Sequence, residues 1–210
     1  MSFYLDGPAI YLITSGEATP ANFDQKSREI LDIVSIAVEE EVSLIQLRER
    51  RLSARLLFEL AVKASEITHD SSSRLLVNDR ADIAVAAKAD GVHLTGASLP
   101  TAVIRSSFPP DLIIGVSTHT AEAARSAAEQ GADFAVFAPV FETPGKGEPQ
   151  GLDKLSMLCR ELRPFPVFGL GGVDETNYAS ILEAGASGFA AIRFLNDPEK
   201  MRAVCRDLRK

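Results

Sequence analysis

Polar side chains able to hold an anion or move a proton recur in short clusters along this chain, each at or just past the end of an apolar run. Gln46 and Arg48 flank Leu47, so on a strand both point to one face. A guanidinium turned into a protein interior needs an anionic partner. That partner is either a ligand or an internal acid such as Asp79, and Arg50 follows two residues on. Asn78 and Asp79 offer oxygen ligands for a hard cation such as Mg2+; Asp79 suits the cap of a following helix equally well. His119, just past Ser117-Thr118, is of the residue type best suited to general acid or base work near neutrality. Its alternative is to cap the next helix. His93, inside the apolar run Gly91–Leu94, reads as a hydrogen-bonded core histidine. Gly171-Gly172 would let backbone N–H groups approach an anion closely, or would simply make a tight turn. Lys146, in the Gly- and Pro-containing segment Phe141–Gly147, is either a point charge that closes over a phosphate or a solvated surface lysine.

These clusters need a scaffold that gathers distant residues at one rim. Eight apolar runs of strand length supply it: Ile10–Thr14, Leu44–Arg48, Leu75–Asn78, Gly91–Leu94, Leu112–Ser117, Asp133–Pro139, Pro166–Gly169 and Gly188–Ile192. Near-continuous apolar runs suit parallel strands buried on both faces. The stretches between them are alanine-rich or amphipathic. Ser53–His69 carries Leu56, Leu57, Leu60, Ala61 and Ala64 at helical spacing, with Ser53 as N-cap. Thr120–Gln130 has Thr120 as cap and Gly131 as stop, and Thr176–Ala184 repeats that design before Gly185. Echoing phrases (AEQGADFAVF, LEAGASGFAAI, AAKADGVHL) are what stacked βα units leave behind. The pattern predicts a single-domain α/β fold over residues 1–210, a (β/α)8 TIM barrel, with an open doubly wound sheet as the competing architecture. In such a barrel the clusters all fall at the carboxyl ends of strands, and the loops after strands seven and eight, with a helix N-terminus, form the usual phosphate site.

Composition narrows the partners. The 210 residues carry a net charge of −7, and the 22 Lys and Arg are dispersed. A nucleic-acid or anionic-membrane surface would show a basic patch instead. A phosphorylated small molecule remains open, because a pocket can be locally positive. No apolar run reaches spanning length. The opening MSFYLDGPAI lacks the basic segment and long apolar core of a secretion signal, so a cytoplasmic location is expected. Cys159 and Cys205 have no CxxC spacing and read as core hydrophobes. A homo-oligomer is compatible with the sequence.

In order along the chain stand Gln46-Leu47-Arg48-Glu49, Asn78-Asp79-Arg80-Ala81-Asp82, Ala89-Asp90-Gly91-Val92-His93-Leu94, Gly115-Val116-Ser117-Thr118-His119, Gly131-Ala132-Asp133-Phe134, Pro139-Val140-Phe141-Glu142-Thr143 and Gly169-Leu170-Gly171-Gly172-Val173. This series resembles the thiamine phosphate synthases and their TenI-like relatives over about residues 10 to 195. The resemblance implies a barrel that binds hydroxyethylthiazole phosphate, which in the synthase displaces pyrophosphate from a hydroxymethylpyrimidine pyrophosphate with the help of Mg2+. It implies pyrophosphate contacts for Gln46, Arg48 and Arg50, a substrate contact for Asn78, Mg2+ ligation by Asp79, and a substrate contact for Ser117. On the thiazole side it implies Thr143, Lys146 and the phosphate glycine Gly172 beside Gly171.

This chain also departs from the synthase pattern. Arg50 stands where a lysine is usual. The second Mg2+ carboxylate expected after strand four is replaced by Ser98, in Thr95-Gly96-Ala97-Ser98, and serine is a poor Mg2+ ligand. Gly145 replaces a threonine, and the Ile-Ser pair after strand eight becomes Ile192-Arg193. These changes resemble the TenI branch more closely. The leading expectation is therefore a metal-free thiazole tautomerase, with His119 as the proton shuttle and Arg193 on a phosphate. A divergent thiamine phosphate synthase using Mg2+ is the alternative, and a non-catalytic ligand-binding or regulatory barrel is a third.

Overall fold

The computed structural model describes residues 5 and 7–209. Among them strand and helix alternate without exception. The order is β1 (Ala9–Ile13), α1 (Phe23–Glu39), β2 (Leu44–Leu47), α2 (Ala54–Thr68), β3 (Arg74–Asn78), α3 (Ala81–Ala86), β4 (Gly91–Leu94), α4 (Thr101–Ser107), β5 (Ile113–Thr118), α5 (Ala121–Glu129), β6 (Phe134–Phe137), α6 (Gly151–Leu162), β7 (Val167–Leu170), α7 (Tyr178–Glu183), β8 (Gly188–Ala191) and α8 (Pro198–Leu208). All strands are parallel, and β8 pairs back onto β1 with Tyr11 opposite Ala190. The sheet is a closed (β/α)8 barrel, not an open doubly wound sheet.

Alternation along each strand divides the core in two. Outward residues such as Leu12, Ile45, Val77 and Phe189 pack against the helix ring. Inward residues Tyr11, Leu44, Leu76, Phe134, Val136 and Phe168 fill the barrel. The rings of Tyr11, Phe134 and Phe168 meet at centroid distances of 5.2–6.0 Å, a spacing that favours edge and tilted contacts. The helices bury one stripe each: Leu57, Leu60, Ala61 and Ala64 on α2, and Met201, Val204 and Cys205 on α8. Cys159 and Cys205 are buried free thiols, each pushed up to about 11 by burial. That fits core hydrophobes and no redox pair.

The echoed phrases have a structural meaning at the amino ends of the strands. Asp90 accepts the Leu75 N–H at 2.8 Å, and Asp133 accepts the Ile114 N–H at 2.7 Å while pairing with Arg105. Each acid closes one rung between neighbouring strands. This is why β6 starts at Phe134 and not at Asp133. It ends at Phe137, because Pro139 has no N–H to give a ladder. The β2 ladder stops at Leu47, since the Arg48 N–H goes to Thr14 Oγ1 at 2.8 Å. Ser53 and Thr120 cap α2 and α5 as expected. Thr176 does not cap α7: its N–H and hydroxyl both donate to Asp174, and the helix begins two residues later. No helix among the described residues is long and apolar enough to cross a membrane.

Candidate active site

The barrel brings the polar clusters to one rim, at the carboxyl ends of the strands, and sorts them into two groups. The first spans β2 to β5. Gln46, Asn78 and His93 are buried inward residues near the strand ends, with Asn78 opposite His93 in the ladder. Gln46 Nε2 donates to Tyr11 Oη at 2.8 Å, Tyr11 Oη lies 3.0 Å from His93 Nδ1, and His93 Nε2 lies 2.8 Å from Ser117 Oγ. Burial, and secondarily Arg48, pulls His93 down to about 3, so it is neutral at physiological pH. Burial likewise raises Tyr11 far above the ordinary phenol range. The buried Oδ1 of Asn78 has no partner in the protein. Leaving a buried acceptor unmatched costs about 1–3 kcal/mol, a cost that an arriving ligand donor would offset.

Arg48 is half-buried. Burial first, and then the neighbouring Arg50, hold its guanidinium below the ordinary value. Among the described residues neither arginine forms a salt bridge, so the internal Arg48–Asp79 pair considered above is absent. The acid next to them is otherwise engaged. Glu49, 2 % exposed, accepts the N–H groups of Gly16 at 3.1 Å and Ala18 at 2.9 Å. It ties the β1–α1 loop to the end of β2. Two cations without a matching carboxylate form a ready anion site.

Asp79 follows β3 in a left-handed conformation, φ 64°. For a residue with a side chain this costs on the order of 1 kcal/mol or more and gathers at functional sites. Its carboxylate accepts from Ser98 Oγ, and it does not cap α3, which lacks a side-chain cap. Among the described residues no three His, Cys, Asp or Glu side chains converge as a metal cage. A cation here would rest on Asp79 and on ligand oxygens. That donor set suits Mg2+, which takes one or two carboxylates and completes its shell with phosphate and water.

The second group lies at β6 to β8 around a cavity of about 480 Å3. Thr143, Gly171, Gly172, Ile192 and Arg193 line it. Both glycines need their lack of a side chain. Gly171 has φ 100° and Gly172 φ 66°, and a Cβ on Gly172 would stand 2.5 Å from the Glu142 carbonyl oxygen. The pair is thus pressed against the β6–α6 loop, with Asn177 Nδ2 donating to the Gly172 carbonyl at 2.9 Å. Lys200, on the same wall, is paired with Glu175 at 2.8 Å. Arg193 has no carboxylate partner among the described residues. The first amides of α8 are taken by its own cap, Asp197, so this helix end is not free for an anion as the barrel pattern suggested.

Two of the expected residues belong neither to the cavity lining nor to the buried hydrogen-bond chain. Lys146 is exposed on the β6–α6 loop, its N–H donating to the Thr143 carbonyl, and it does not line the cavity. His119 is exposed past β5 with Nδ1 2.6 Å from the Ala138 carbonyl; the cap of α5 is Thr120. Sequence reasoning missed Tyr11 and Glu49. A tyrosine inside an apolar strand was a usable signal, because a buried hydroxyl must find a partner.

Comparison with known proteins covers nearly the whole chain. A family model, TMP-TENI, described as thiamine monophosphate synthase, matches residues 10–195. A relative from Geobacter sulfurreducens, whose thiamine-phosphate synthase name is provisional, is 43% identical over 93% of this chain and 92% of its own. The thiamine-phosphate synthase of Caldanaerobacter subterraneus is 36% identical over 88% and 89%. Among solved structures, a thiamine phosphate pyrophosphorylase from Pyrococcus furiosus superposes with a TM-score of 0.78 at 26% identity, covering 95% of this chain and 96% of that one.

Proposed function

The chain belongs to the thiamine monophosphate synthase (TMP-TENI) family, and from that premise we propose that it is a thiamine-phosphate synthase. The observation that carries this reading is that arginines without a carboxylate partner among the described residues stand at two places on one rim. Arg48 and Arg50 stand on one side of the end of β1; the Gly171-Gly172 cavity with Arg193 stands on the other. A tautomerase handles one phosphorylated substrate and needs one such site. A synthase joins two. The relatives' names favour the synthase as well, so the tautomerase expectation drawn from Ser98 and Ile192-Arg193 is the less well supported of the two.

In the reaction, the bond from the pyrimidine's methylene carbon to the pyrophosphate oxygen breaks. The thiazole nitrogen bonds to that carbon, and pyrophosphate leaves with the electron pair. Arg48 and Arg50 hold the pyrophosphate and counter its charge, and Gln46 assists. Asn78 Oδ1 and Ser117 Oγ meet the pyrimidine half near the barrel axis. The amides of Gly171 and Gly172, together with Thr143, Ile192 and Arg193, hold the thiazole phosphate. Lys146, on its loop, supplies a further positive charge if that loop closes. Asp79 would hold Mg2+ together with substrate oxygens, and the bound cation would neutralise charge on the departing pyrophosphate.

The test is a pair of substitutions assayed with both substrates and Mg2+. Asp79→Ala is expected to lower kcat for thiamine phosphate formation by about 100-fold or more, since metal assistance contributes several kcal/mol. His119→Ala is expected to leave it within about threefold. No thiamine phosphate from the unmodified protein, together with aromatisation of a thiazole carboxylate phosphate tautomer that His119→Ala abolishes, would favour the tautomerase reading instead.

A further inference from the structure

We propose that Tyr11 and His93 are positioning residues that lock the Ser117 hydroxyl as a hydrogen-bond donor aimed into the barrel mouth. The proposal deepens the synthase reading and rests on it for its kinetic readout.

Hydrogen-bond accounting assigns every proton in the chain. Tyr11 is fully buried, and its oxygen has two neighbours, Gln46 Nε2 at 2.8 Å and His93 Nδ1 at 3.0 Å. An amide nitrogen only donates, so the phenol oxygen accepts from Gln46. A buried O–H needs an acceptor, and His93 Nδ1 is the one that remains. A neutral imidazole that accepts at Nδ1 carries its proton on Nε2. Nε2 then donates to Ser117 Oγ across 2.8 Å. Ser117 accepts through one lone pair, and because His93 Nε2–H cannot take the serine proton, that proton is left to give. The chain therefore runs in one direction, from Gln46 through Tyr11 and His93 to Ser117.

Packing holds this direction in place. The Tyr11 ring lies against Phe134 and Phe168, and the His93 ring lies against Tyr11 and Phe134, at centroid distances of 5.6–6.2 Å. A close-packed layer of this kind resists ring reorientation. The consequence is chemical: Ser117 presents a donor, so the substrate atom it meets is an acceptor, a ring nitrogen or an anionic oxygen. Tyr11 and His93 need not touch substrate at all.

Long-range 1H–15N spectra of histidine-labelled protein read the tautomer directly. A single Nε2–H form of His93 is expected, and an Nδ1–H form or an averaged ring would overturn the proposal. Tyr11→Phe keeps the ring and removes the hydroxyl. It should release the tautomer and lower kcat/KM for the pyrimidine pyrophosphate in thiamine phosphate formation by about tenfold, the worth of one hydrogen bond. Ser117→Ala should cost a similar factor, and the double variant no more than either single one. Losses that multiply would mean that Tyr11 acts on packing alone, and would sink the idea. The spectrum of the unmodified protein decides the tautomer even if Tyr11→Phe does not fold or if no thiamine phosphate forms, so failure of the synthase reading is distinguishable.

Discussion

At the scale of single residues, burial separates side chains that the sequence places side by side. Arg48 and Glu49 are neighbours, yet Glu49 turns away to hold Gly16 and Ala18 while Arg48 stays without a carboxylate. The alternation of Gln46 and Arg48 was legible in sequence, because strand parity is local. The task of Glu49 was not, since its partners lie 31 and 33 residues away and meet it only when β1 and β2 pair. His93 was legible as a core histidine, and its environment makes a measurable prediction. Its pKa falls from the ordinary 6.5 to about 3 on folding. Above pH 6.5 the ring is neutral in both states and adds no pH dependence. Between 6.5 and 3 the unfolded chain takes up a proton that the native chain refuses, so stability drops by up to about 1.4 kcal/mol per pH unit. Urea unfolding at pH 7, 6, 5 and 4 should therefore show a steeper fall for the native sequence than for His93→Gln. Equal slopes would mean that the ring is not held neutral.

At the scale of elements, the loops that follow the strands set the chemistry and the strands hold them in place. The eight runs of apolar residues marked the strands closely, and Ser53 and Thr120 marked two helix starts. Ends governed by distant partners escaped: Asp133 left the strand for Ile114 and Arg105, and Thr176 was captured by Asp174. The Gly171-Gly172 pair was legible as either an anion cradle or a tight turn, but its packing against the Glu142 carbonyl and Phe141 was not. That packing yields a prediction. Gly172→Ala places a Cβ in a left-handed position 2.5 Å from a carbonyl oxygen, so the turn must move away from the β6–α6 loop. KM for the thiazole phosphate should rise about tenfold or more, with KM for the pyrimidine pyrophosphate changed less than about threefold, by analogy with the loss of one or two ligand hydrogen bonds. Steady-state kinetics with each substrate varied in turn checks this. An equal rise in both constants would place Gly172 outside a dedicated thiazole phosphate site.

At the scale of the whole molecule, closure of the barrel assembles what no stretch of sequence contains. Tyr11 and His93 are 82 positions apart, and their contact exists because eight strands turn their inward residues toward one axis. Closure also brings the arginines that follow β2 and the Gly171-Gly172 cavity with Arg193 to a single rim, on either side of β1. The replacement of the usual second carboxylate by Ser98 pointed away from metal-assisted coupling when read locally. The proposed reaction keeps metal assistance, because Asp79 sits at the rim with φ 64° and the arginines just past β2 have no carboxylate partner among the described residues. The central claim is tested most directly by supplying the purified protein with hydroxymethylpyrimidine pyrophosphate, hydroxyethylthiazole phosphate and Mg2+, and measuring thiamine phosphate and pyrophosphate together. The account predicts that both appear in equal amounts, only when both substrates are present, and that chelation of Mg2+ stops them. No thiamine phosphate under these conditions, from protein that binds both substrates, would contradict it.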